Sequence, residues 1–253
     1  MSWDPEQYLK FRDERYAPFD DLISLVGVRE GMSVVDLGCG TGELTRRLAD
    51  YLPGSSVLGI DSSRNMLERA REQERPGLTF EFGNIETITG QWDLLFSNAA
   101  IQWVDNHEIL IPRLMSLLYP EGQLAVQLPS NHRNPSITMI RATADEEPFF
   151  TALQGWSRVP PVLEIDRYAE LLYMCGGKKI TVLEKVYGHI LEDADAVVEW
   201  TRGTALIPYL ERLPAEMHSS FLDSYRDKLA GIWPGGPLFF TFRRIFMAAT
   251  RGA

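Results

Sequence analysis

Short runs of continuous apolar residues recur along the first half of the chain, each followed by a stretch in which apolar positions return every three or four residues. SVVDL (33–37), SVLGID (56–61), LTFEFGN (78–84), WDLLFSN (92–98) and QLAVQLP (123–129) have the character of buried strands. Between them GELTRRLADYL, SRNMLERAREQ and HEILIPRLMSLL carry helical periodicity. Apolar strands separated by amphipathic helices predict a parallel sheet covered on both faces, an α/β doubly wound, Rossmann-like fold. Upstream, Asp4-Pro5 with Gln7 has the form of a helix start, placing Tyr8, Phe11 or Arg12, and Arg15 on one face, and FDDLISLVGV follows as a second helical pattern.

The pattern changes after Pro129. Helical segments around ITMIRATADEE and DRYAELLYMCG flank the proline-containing SRVPPVLEI, and KKITVLEKVYGHIL then alternates like a strand. The segment from Asp193 to Trp233 is helical in period and punctuated by proline, and LFFTFRRIFMAATR closes the chain as another strand. The expected organisation is a single domain over 1–253, with a helical lid at 1–26, a cofactor-binding core at 31–130 and a helical cap inserted at 190–236.

Composition narrows the class. A chain of 253 residues with 45% hydrophobic content can fill a proper core. A net charge of -10 argues against a partner such as nucleic acid or an anionic membrane, both of which need a basic face. No apolar stretch approaches the roughly 18 residues of a membrane span, and the charged opening MSWDPEQYLKFRDER lacks a signal core. The two cysteines, Cys39 and Cys175, and the scattered His107, His132, His189 and His218 have no metal-ligand spacing. A reduced, cytoplasmic protein without a metal, monomeric or homodimeric, is the expectation.

The chemistry concentrates at DLGCGTGEL. Gly38, Gly40 and Gly42 stand at alternate positions just after the first strand, where open α/β sheets bind ligands, and glycine there permits a tight turn and close backbone approach. A triphosphate-gripping loop would continue Gly-Lys-Ser/Thr, whereas Gly42 is followed by Glu43. A dinucleotide fingerprint would place its third glycine at 43, and an acid there repels a pyrophosphate. The remaining candidate is cationic and free of phosphate. Asp36 and Asp61 end the first two strands, and a carboxylate at such a position can accept both hydroxyls of a ribose. Asp61 could instead cap the following helix. Asn84 can accept from an adenine amine, with Ile85 packing on the ring, or can be an ordinary turn residue. Together they match S-adenosylmethionine.

VVDLGCGTG, GIDSS, FGNI and LLFSNAAIQWV, at successive strand ends, resemble the class I S-adenosylmethionine-dependent methyltransferases, and this resemblance adds Ser62 and Asn98 to the cofactor set. WDPEQYLKFRDER, DLLFSNAAIQWVDNHEILIPRLMSLLYPEGQLAVQLPSN and FRRIFMAATR are more narrowly similar to the trans-aconitate 2-methyltransferase family, over nearly the whole chain. The resemblance implies a seven-stranded sheet with an antiparallel last strand, and a methyl ester formed on a carboxylate of a small polycarboxylic acid. The family more often carries aspartate where this chain has Asn84, which keeps the acceptor oxygen.

A carboxylate acceptor is ionised at neutral pH, so no general base is needed, and alignment with exclusion of water would supply the rate. In so acidic a chain the acid must be held by a few inward arginines. Arg15, Arg202 and one of Arg243 and Arg244 are the candidates; alternation lets only one of that pair face the pocket, and the resemblance covers Arg244. Tyr8, Gln102, Trp103 and His107 are further pocket candidates, although an aromatic after a strand is often core and His107 stands at a helix start. A methyltransferase for another small metabolite, a nicotinamide-dependent oxidoreductase and a non-catalytic S-adenosylmethionine-binding regulator are the competing functions.

Overall fold

The computed structural model describes residues 13–252, with side chains from Tyr16 onward, so the helix start at Asp4 and the candidate Tyr8 lie outside the described residues, as does the side chain of Arg15. The elements are α1 (Asp13–Ile23), β1 (Ser33–Leu37), α2 (Glu43–Tyr51), β2 (Ser56–Asp61), α3 (Arg64–Ala70), β3 (Leu78–Phe82), β4 (Trp92–Asn98), α4 (His107–Ser116), β5 (Leu118–Pro129), α5 (Pro135–Ala144), α6 (Phe149–Ala152), α7 (Ile165–Met174), β6 (Gly177–Leu191), α8 (Ala194–Arg202), α9 (Ile207–Leu210), α10 (His218–Ile232) and β7 (Leu238–Arg251). FDDLISLVGV thus supplies only the end of α1, and the residues after Ile23 leave the helix.

The seven strands form one sheet in the order β3-β2-β1-β4-β5-β7-β6. β1 to β5 are parallel, and β7 runs antiparallel to β5, as the sequence led us to expect. The chain leaves β1 outward through β2 and β3, then returns to β4 on its other side. The order therefore reverses between β1 and β4, and a crevice beyond their carboxyl ends is the place such sheets offer a ligand.

The chain folds into two compact units. Among the described residues, one comprises Ser130–Pro160 and Val186–Arg243; the other comprises those up to Pro129 together with Pro161–Lys185 and those from Arg244 onward. In the first unit Tyr225, fully buried, donates its hydroxyl to the Ser136 carbonyl at 2.8 Å and so ties α10 to α5. The helical unit therefore takes in 130–160 as well as the 190–236 segment.

In the second unit, strict alternation gives the sheet two different faces. Val35, Leu95, Val126, Met247 and their neighbours point to one side, where they pack with Leu114 of α4 and Leu172 of α7 in the main apolar core. The other side carries the register-matched Asp36, Phe96 and Ala125, and one pleat further on Asn98 and Gln127. α1 covers this second face: Phe19, 1% exposed, meets Phe96 edge to ring at 5.7 Å. Tyr16 reaches across to Glu43 at the start of α2, donating to its carboxylate at 3.2 Å.

Candidate active site

The glycine turn is built for closeness. Gly38 has φ +80°, and a Cβ on it would fall well inside van der Waals contact with the Cβ of Ala100, so the turn after β1 and the turn after β4 approach each other at a distance no larger residue permits. At Gly40, φ +56°, a Cβ would meet nothing within 4 Å, so the turn faces open space there. Gly42, φ +78°, caps α2, and its missing side chain makes room for Phe80.

Two acids are fixed at this turn. The carboxylate of Asp61 accepts from the Gly40 N–H at 3.0 Å and from the Ser63 N–H at 2.8 Å, which holds the end of β2 against the glycine turn. The cap of α3 is Ser63, whose hydroxyl accepts from Met66 N, so Asp61 is not needed for that purpose. Burial raises the Asp61 pKa, while its backbone donors oppose the rise. Asp36, 4% exposed, accepts the Thr45 hydroxyl at 2.6 Å. Burial pushes the Asp36 carboxyl up to about 7, Thr45 opposes this and the nearby Asp61 adds to it. Two neighbouring carboxyls whose ionisation is held back by burial favour a cationic ligand and oppose a pyrophosphate. That chemistry fits S-adenosylmethionine.

The other cofactor candidates lie at the same edge. Asn84 is exposed beyond the end of β3, with its carbonyl accepting from the amides of Thr87 and Ile88, and Ile85 is half-buried and reaches toward Gly38. The loop that carries them is anchored by Arg113 of α4, which donates to the carbonyls of Ile85, at 3.2 Å, and Ile88. Ser62 is exposed beside Asp61. Asn98 ends β4, one pleat beyond the level of Asp36.

Arg244 is 7% exposed and lies on the same face, opposite Pro129 and one pleat beyond Gln127, to whose Oε1 it donates at 2.9 Å. Arg243 points to the opposite side and is exposed. Arg202 belongs to the helical unit, where it is exposed and paired with Glu199 one turn back at 3.4 Å. Gln102 and Trp103 are half-buried in the short turn after β4, with Gln102 Nε2 donating to the Ala99 carbonyl at 2.6 Å.

His107 departs from the expected pocket position: it is fully buried, at 0% exposure. Its Nε2 faces the Ile101 carbonyl at 2.9 Å and must carry the proton, so Nδ1 accepts from the Tyr168 hydroxyl at 2.5 Å. Burial lowers its pKa. His107 is a neutral tie between α4, α7 and the turn after β4. The tie was illegible in the sequence because its partner is 61 residues away. Arg113 and Gln127 were missed for the same reason. Thr45 was missed too, although it lies in the first turn of the helix opened by the glycine motif.

The reversed strand order, the glycine turn and the paired acids define a class I S-adenosylmethionine-dependent methyltransferase. A methyltransferase-domain family model matches residues 28–173. The chain is 47% identical to a trans-aconitate 2-methyltransferase of Deinococcus radiodurans, with 99% of each covered, and 38% identical to one of Variovorax paradoxus over the full length of both. Phosphoethanolamine N-methyltransferase 2 of Haemonchus contortus, solved with S-adenosyl-L-methionine, shares the fold with a TM-score of 0.55 at 17% identity; the match covers 94% of this chain and 53% of that one. The chain belongs to the trans-aconitate 2-methyltransferase family.

Proposed function

We propose that this chain transfers a methyl group from S-adenosylmethionine to a carboxylate of trans-aconitate, giving a monomethyl ester. The observation that carries the reading is the single polar row at one sheet edge, in which two acids suited to a cationic cofactor and a buried arginine suited to an anionic acid share one face. The full-length likeness to curated trans-aconitate 2-methyltransferases supports the choice of acid.

Bound S-adenosylmethionine supplies a methyl carbon activated by a positively charged sulfur. Asp61 holds the ribose hydroxyls with lone pairs its backbone donors leave over, and Asp36 balances positive charge once ionised. Ile85 lies against the adenine, and Asn84 accepts from its amine. Arg244 takes a substrate carboxylate in paired hydrogen bonds, a geometry its guanidinium matches. The acceptor oxygen is already ionised at neutral pH, like any carboxyl titrating near about 4, so no side chain has to remove a proton. Joining opposite charges gives a less polar transition state, so what the chain contributes is alignment and a poorly hydrated site. The neutral, internally engaged His107 is consistent with chemistry that uses no base.

Among the described residues no helix is long and apolar enough to cross a membrane, and neither Cys39 nor Cys175 is in a disulfide; we read the protein as cytoplasmic and its partner as a small acid rather than a macromolecule. The test is release of S-adenosylhomocysteine with trans-aconitate, cis-aconitate, citrate and isocitrate offered in turn. Turnover should favour trans-aconitate, with kcat at saturating cofactor flat between about pH 6.5 and 8.5, because the acceptor has no proton to lose and the bound cation keeps Asp36 ionised. A kcat that climbs tenfold per pH unit across neutrality would instead indicate a proton-bearing acceptor and a base.

A further inference from the structure

Gln127 lies fully buried in the polar row, at 0% exposure. Its Oε1 accepts from Arg244 Nη1 at 2.9 Å, and its Nε2 donates to Asn98 Oδ1 at 2.7 Å. The polarity is forced. A guanidinium has no acceptor, so the amide must turn its oxygen to Arg244 and its nitrogen to Asn98. Asn98 must then answer with its oxygen, which turns its own amide donors elsewhere, the polarity required by a carboxylate such as that of the cofactor's amino-acid tail. The backbone of the same residue has a second attachment. The Gln127 carbonyl accepts from the Ala99 N–H at 2.8 Å, and Ala99 holds φ +56°, a left-handed conformation that a residue with a Cβ adopts only when its surroundings impose it. The turn that follows β4 and meets Gly38 is thus fastened to Gln127 by main chain and side chain together.

We propose that Gln127 is a positioning residue that couples the two ligand subsites, fixing Arg244 for the acid and Asn98 for the cofactor through one amide of set polarity. This rests on the reading of Arg244 as the acid's ligand. The amide is already hydrogen-bonded at both ends, so the coupling is carried by polarisation along the row: a guanidinium donating to Oε1 strengthens the donor at Nε2.

The experiment is calorimetric titration of the full chain with S-adenosylhomocysteine, with and without saturating trans-aconitate, and the reciprocal titration, alongside KM and kcat for the acid. In the wild-type chain each ligand should tighten the other by about fivefold or more. In Gln127→Met, which keeps the volume and removes both hydrogen bonds, that ratio should fall to about 1, with the acid's KM raised more than kcat is lowered. Gln127→Glu keeps the size and the acceptor toward Arg244 but cannot donate to Asn98. It too should lose the coupling, and it decides the question if Gln127→Met does not fold. Retention of the wild-type ratio in a folded variant, or its absence from the wild-type chain, overturns the proposal. Arg244→Met separates the two layers. If it leaves the acid's affinity at the wild-type value, the reading of Arg244 fails; if it weakens the acid while Gln127→Met keeps the ratio, only the role of Gln127 fails.

Discussion

Asp61→Ala is the substitution whose consequence follows most directly from the geometry. In the folded chain the carboxylate already accepts two backbone N–H groups, from Gly40 at 3.0 Å and Ser63 at 2.8 Å. A carboxylate has about four lone-pair sites, so two remain for a pair of ribose hydroxyls. A hydrogen bond to a charged group is worth about 1.5–3 kcal/mol net, and because Asp61 is only half-buried the lower part of that range applies. The two together contribute about 3 kcal/mol of cofactor affinity, or roughly a 150-fold rise in Kd on substitution. Gly40 and Ser63 would lose their acceptor as well, but the space left by the carboxylate admits water in its place, so the cost in stability should be about 1 kcal/mol, a Tm lower by about 2–4 °C. The assay is calorimetric titration with S-adenosylhomocysteine, accompanied by circular dichroism and a thermal melt. A variant with native ellipticity, a cooperative melt and a Kd within about twofold of wild type would remove Asp61 from the site.

Asp36 predicts a pH signature. Its folded titration near 7 lies above the unfolded value, so the stability it confers is full below about pH 4 and is lost as pH rises through about 7. Asp36→Asn, which keeps an acceptor for Thr45, should therefore gain stability relative to wild type between pH 5 and pH 8, by ~3 kcal/mol. Equal Tm differences at the two pH values would refute the buried acid. Gly38→Ala drives a methyl into Ala100 from a left-handed turn, so it should separate the turns after β1 and β4 and abolish measurable S-adenosylhomocysteine binding; binding at the wild-type Kd would show that the turn is not the cofactor's seat. His107→Leu leaves the Tyr168 hydroxyl and the Ile101 carbonyl without their partner, costing about 2–4 kcal/mol of stability in urea titration while sparing the acid's KM. A raised KM with unchanged stability would return His107 to the pocket. With its folded pKa below that of an unfolded histidine, it should also make the wild-type chain lose stability as pH falls below about 6.5.

The parallel strands were legible because a buried parallel strand must be apolar on both faces, a signal that survives in five or six residues. SVVDL, SVLGID and WDLLFSN coincide with β1, β2 and β4. The glycine turn and its two acids were legible because they adjoin strand ends, where position along the chain already fixes position in space. The grouping of 130–160 with the later helical segment was not legible, since it rests on pairings such as that between Tyr225 and Ser136, 89 residues apart. Gln127 looked like one polar residue in a strand. Its meaning depends on a guanidinium 117 residues away, which only the antiparallel insertion of β7 beside β5 brings near. Alternation could say that one of Arg243 and Arg244 faces inward, but the register was needed to say which.

The central claim is an esterification, and mass spectrometry of the small-molecule fraction tests it most directly. Purified protein is incubated with S-adenosylmethionine carrying a labelled methyl group and with trans-aconitate, and the acid is then analysed. A monomethyl ester of trans-aconitate that carries the label, requires the protein and disappears in Gly38→Ala is the predicted result. Unmodified acid, in a preparation that binds S-adenosylhomocysteine, would contradict it.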